Sequence, residues 1–171
     1  MILNRLSEYL VNGKYEEFDK LFSSPDAQKY AKPFNLDYLS LNRKLLSGNK
    51  KEIDEAFARF DQVHMNTSQK VAVWQRAYYY YLSAENTENA KKYYEKLSSI
   101  IKYNGKEKAD ITYDIYINKG AKYLDKVLKL EHNSSGGAKY EYDALLADIY
   151  RNMEDVQNSE KYRKLVEEAM K

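Results

Sequence analysis

The chain of 171 residues contains no cysteine. That single absence excludes disulfides, thiolate metal sites and cysteine nucleophiles. Proline occurs twice and glycine six times, too sparsely for a turn-dense all-β fold. No apolar run approaches the ~20 residues that span a bilayer. Neither sign of charge dominates: 28 Lys and Arg against 26 Asp and Glu leave +2, far from the strongly basic balance of a dedicated nucleic-acid binder. The two histidines, His64 and His132, lie far apart with no second histidine at metal-ligand spacing, so they read as solvated residues near helix ends. No Gly-x-Ser-x-Gly elbow is present. Ser134-Ser135-Gly136-Gly137 lacks the preceding strand and the Gly-Lys-Ser/Thr ending of a phosphate loop, and reads as a linker. The expectation is a protein without catalytic residues, cofactor or metal, and not an enzyme.

What is present is tyrosine, 18 residues of it. Lys, Asn and Ile are also common, a combination that codon bias in an AT-rich genome produces. Apolar residues at 43% and charged residues at 32% describe a soluble globular chain. Met1 to Leu10 mixes Asn4, Arg5, Ser7 and Glu8 into the apolar residues, as an amphipathic helix does and a secretory leader does not. Cytoplasm is the default location.

The apolar period is helical almost throughout. Leu3, Leu6 and Leu10 open the chain, and Gly13 breaks the run. Phe18, Leu21 and Phe22 carry a short helix that Ser23-Ser24-Pro25 ends; residues 26–33 carry no clear pattern. Helices then follow on Leu36 to Leu46, stopped at Gly48-Asn49, and on Ile53 to Val63. Asn66-Thr67-Ser68 offers cap oxygens to a helix from about Gln69 to Ala84, and Asn86 or Thr87 caps its successor. From Tyr113 to Leu128 the i, i+3, i+4 stripe is unbroken, which favours one continuous helix over 106–131; a break at Asn118-Lys119-Gly120 is the alternative. Two helices, about 138–152 and 155–170, close the chain. The sum is about nine helices in an all-α fold, with short links that make neighbours antiparallel.

The turns near Gly13, Gly48, Asn86 and Met153 are spaced by roughly one or two multiples of 34–37. The clearest unit reads Trp74-x2-Ala77-Tyr78-x2-Tyr81, a turn at Asn86, then Ala90-x3-Tyr94-x2-Leu97. A second copy reads Leu146-Ala147-x2-Tyr150, a turn, then Ser159 and Tyr162. A partial third is Tyr38-x2-Leu41-x3-Leu45 with Ala56-x3-Phe60. This pattern resembles the tetratricopeptide repeat, W-x2-L-G-x2-Y…A-x3-F. Tyr78 stands where that family prefers a small residue, and Asp143 where it would have Trp. The resemblance implies one domain over 1–171, a right-handed α-α superhelix of antiparallel helix pairs, and a concave groove that binds a protein or peptide segment.

Four consecutive tyrosines, 78–81, cover a helix's circumference at about 100° per residue, so at least one must leave the core. By the register of the resemblance Tyr78 and Tyr81 pack, while Tyr79 and Gln75 face the concave side. The same register places Arg43, Leu46, Asp148 and Arg151 there. These six are the candidate peptide- or protein-binding residues. No membrane partner is implied, and the chain is expected to be a monomer or weak homodimer, the terminal helix serving as a cap or a dimer surface. A narrower reading is a signalling-peptide sensor: bacterial receptors of that kind use similar repeat domains, and this chain is similar to one lacking a DNA-binding headpiece. A reading of a different class is nucleic-acid binding through the Lys/Tyr stretch 91–108, where lysines are interleaved with Tyr93, Tyr94 and Tyr103; Glu88, Glu95 and Glu107 dilute it.

Overall fold

In a computed structural model, which describes residues 2–170, every regular element is an α-helix. Eleven follow one another among the described residues: α1 Ile2–Val11, α2 Tyr15–Phe22, α3 Pro25–Tyr30, α4 Pro33–Ser47, α5 Lys50–Phe60, α6 Thr67–Ser83, α7 Thr87–Ser98, α8 Lys106–Tyr116, α9 Leu124–His132, α10 Gly136–Asn152 and α11 Val156–Ala169. The expected nine is corrected twice. First, Pro25 begins α3 rather than merely ending α2. Proline is tolerated at the first helical position, where its missing N–H has no partner anyway, and the Ser24 hydroxyl caps Ala27 N at 3.2 Å. Second, the continuous helix over 106–131 is two helices with residues 117–123 between them. The gap is close to two helical turns, so the apolar stripe resumes in phase and conceals the break.

The chain divides into two compact units, Met1–Val73 and Trp74–Lys171, with the boundary inside α6. In the first unit Leu6 and Leu10 of α1, Phe18 of α2, and Leu36 and Leu39 of α4 form one core. Phe34 of α4 meets Phe60 of α5 edge-on at 5.8 Å. In the second unit Ile111 and Ile115 of α8, Val127 of α9, Leu145, Leu146 and Ile149 of α10, and Tyr162 of α11 form another.

A period runs through the backbone. Of the seven described residues with positive φ, five, Gly13, Gly48, Glu85, Lys119 and Glu154, are spaced 35, 37, 34 and 35 apart; the other two, Gly105 and Gly136, stand at the starts of α8 and α10. Each of the five lies between the two helices of a pair: α1/α2, α4/α5, α6/α7, α8/α9 and α10/α11. The left-handed conformation ends the first helix and reverses the chain. After Glu85 and Glu154 the joints are near copies. Asn86 caps Asn89 N and Asp155 caps Asn158 N, both at 3.1 Å. Tyr81 stacks on Tyr93 and Tyr150 on Tyr162, each pair with centroids 5.7 Å apart and planes 9° from parallel.

The turn at Lys119 is held differently. Asp114 accepts from Lys122 N at 3.0 Å. Asn152, from the end of α10, donates its amide to the carbonyls of Ile115, 2.9 Å, and Gly120, 3.2 Å. The first of these is among the carbonyls that the end of α8 leaves without an intrahelical donor. Asn152→Ala is therefore expected to cost about 1–3 kcal/mol, because it strands two acceptors. A urea midpoint unchanged by this substitution would show that solvent replaces the amide freely.

Candidate functional site

Within the second unit, α6, α8 and α10 wall a groove of about 840 Å³, with the start of α7 at one edge. The size is that of ligand sites generally. Rungs join the walls. The Tyr78 hydroxyl, on a side chain with no exposed surface, lies 3.0 Å from Thr112 Oγ1 and 3.3 Å from the Ala109 carbonyl, tying α6 to α8. The Thr112 hydroxyl in turn lies 2.9 Å from the Lys108 carbonyl. Between α8 and α10, Lys108 pairs with Glu141, and Tyr116 donates to Asp148 Oδ2 at 2.8 Å.

Tyr79 lines the groove, half-buried, and its hydroxyl is buried with no hydrogen-bond partner. Burial pushes this phenol up to about 12, and the negative charges of Glu141 and Asp110 add to the shift. The neighbouring Thr112 hydroxyl acts the other way, but its own bonds go to Tyr78 and to backbone carbonyls. Tyr116 is raised too, by burial first and then by Asp148. Both phenols are thus protonated donors at neutral pH. Tyr116 spends its proton on Asp148, whereas Tyr79 has no acceptor.

The six residues named from the sequence are distributed unevenly. Tyr79 and Arg151 line the groove. Asp148 stands behind Arg151 as its ion-pair partner, Oδ1 to Nη2 2.8 Å. Gln75 is engaged elsewhere: its amide donates to the Asn104 carbonyl at 2.7 Å and fastens the loop before α8 to α6. Arg43 and Leu46 belong to the first unit, where Arg43 pairs with Asp19 at 3.3 Å and lies over the Tyr15 ring, and Leu46 is exposed. Leu82, Tyr116, Lys119 and the Lys108–Glu141 pair were not anticipated. The signal for two of them was present: Leu82, Tyr116 and Arg151 all line the groove and stand 34 and 35 residues apart, one repeat each. The continuous-helix reading hid that phase.

The Lys/Tyr stretch presents few aromatic faces to a base. Tyr93 is 2% exposed, with Lys92 and Lys96 over its ring. Tyr94 stacks on Tyr113 at 3.8 Å and donates to Asp110 at 2.9 Å. The crevice beside it, about 860 Å³, contains Lys106 and Lys126, but they pair with Asp110 and Glu107. Among the described residues no cluster of His, Asp or Glu is placed to hold a metal, and no helix is long and apolar enough to cross a membrane.

Neither protein-family models, nor curated proteins, nor solved structures match this chain.

Proposed function

We propose that the protein is a non-catalytic, tetratricopeptide-like scaffold that binds a peptide or protein segment in the groove of its second unit. The solenoid expected of such a repeat belongs to the same proposal. The observation that carries it is the groove itself, the size of a ligand site and walled by three helices, with Tyr79, Leu82 and Leu145 in its lining. Tyrosine also supplies contact area at low entropic cost, as in other recognition surfaces.

The test is selection of binders from a displayed random-peptide library. Tyr79→Ala, which takes the ring off the groove wall, is expected to weaken the selected peptides about fivefold or more through lost contact area, with the melting curve checking that the unit still folds. Leu82→Arg, which places a charged side chain in the groove, is expected to abolish binding with the helical signal intact. Selected peptides that bind both variants as well as the native chain would remove the groove as the site.

A further inference from the structure

Resting on that reading, the charges at one corner of the groove specify its ligand further. Asn152 donates to the Gly120 carbonyl across 3.2 Å, so the chain at Arg151-Asn152 abuts the chain at Lys119-Gly120. Both Arg151 and Lys119 line the groove. Two cations from different helix pairs therefore belong to its wall where these two stretches of chain meet.

The acids nearby are mostly committed. Asp148 has both oxygens engaged, Oδ2 by Tyr116 and Oδ1 by a single nitrogen of Arg151. Glu141 is matched by Lys108. Among the lining groups this leaves Lys119, and the Arg151 donors that Asp148 does not take, against Glu85; Asp114 also stands at this turn, its carboxylate beside Gly120 and bonded to Lys122 N. The turn at Lys119 is fixed by its left-handed conformation and by its neighbours' bonds, Lys122 N to Asp114 and the Gly120 carbonyl to Asn152, so little backbone order has to be gained when an anion arrives.

We propose that the groove takes an extended peptide with an acidic side chain, its carboxylate held by Lys119 and Arg151 and its backbone lying along the Tyr79 wall. Leu82, Ala144 and Leu145 supply the apolar lining beside these groups. Arg presents a planar fork suited to two carboxylate oxygens and Lys a point charge.

The probes are Leu/Ala octapeptides with amidated C-termini and a neutral boron-dipyrromethene label, carrying Glu, Gln or Lys at each position in turn, so that only side-chain carboxylates are read. Binding is followed by anisotropy. The best Glu peptide is expected to bind about tenfold more tightly than its Gln isostere, since a hydrogen bond to a charged group exceeds a neutral one by about this much. The advantage should shrink as salt rises. Lys119→Glu with Arg151→Glu should reverse the preference toward the Lys peptide. Glutamate is already tolerated in this backbone conformation at Glu85 and Glu154, so the variant is expected to fold, which its melting curve checks. Equal binding of Glu, Gln and Lys peptides would overturn the carboxylate assignment and leave peptide binding standing. Failure of every octapeptide, together with an empty display selection, would overturn both.

Discussion

Tyr78→Ala is expected to destabilise the second unit by about 3–5 kcal/mol, the usual loss when a fully buried aromatic is truncated, and to remove most of its native population. The side chain has no exposed surface. Its ring packs on Tyr79 at 4.9 Å and on Tyr94 at 5.8 Å, and its hydroxyl reaches Thr112 and Ala109. Tyr78→Phe isolates the hydroxyl. It is expected to cost about 1 kcal/mol, because the Thr112 hydroxyl keeps its backbone carbonyl while losing one neighbour. A double-mutant cycle with Thr112→Val measured by urea unfolding would give the pair's coupling. An alanine variant no less stable than the phenylalanine variant would mean that the ring itself contributes nothing, against the packing described.

Asp143 is expected to work against the fold at neutral pH. It lies in α10 with 1% of its surface exposed, and Oδ1 meets no donor among the described residues. Desolvation raises its carboxyl above the ordinary range, and Lys139 and Lys161 offset this only in part; Lys139 is already paired with Glu131 of α9. The native state thus holds this proton more tightly than the unfolded chain. Its contribution is most favourable below the usual carboxylate range and declines as pH rises toward the raised native value. Asp143→Leu should therefore gain about 1–3 kcal/mol at neutral pH. The difference in stability between Asp143→Asn and the native chain should grow with pH across that interval and then level off. A difference independent of pH would mean that the carboxyl titrates as a solvated one does.

Aspartate at this position shows how far the sequence could be read. The resemblance to a repeat family expects Trp there, and a polar residue in its place suggested only a departure. Burial of the carboxyl depends on how α10 meets its neighbours, which no local pattern encodes. Apolar spacing was informative where each helix has one buried face: Ala77, Tyr78, Tyr81, Ala90 and Leu97 are all buried. It was blind at 117–123, where a gap of nearly two turns preserves the phase. The site was legible in part for a related reason. Register placed Tyr79 on the groove, but not the orphaned state of its hydroxyl, which depends on Thr112 being taken by Tyr78. It could not foresee that Gln75 would be captured by a loop carbonyl 29 residues away, or that Asn152 would tie the end of α10 to the turn at Lys119-Gly120.

The recurring left-handed turns also bear on how quickly the chain acquires its structure. The bonds that tie α6 to α8 and α8 to α10 join residues 31 to 37 apart, from Tyr78 with Ala109 to Asn152 with Ile115. Within each pair, stacking partners such as Tyr81 and Tyr93 are closer still along the chain. Loop closure over so few residues carries a modest entropic cost, and topologies dominated by local contacts fold in microseconds to milliseconds. Each turn can thus start its own pair as the chain emerges, while the pair's outer apolar face stays bare until the next 35 residues pack on it, so the growing end is where aggregation has to be avoided.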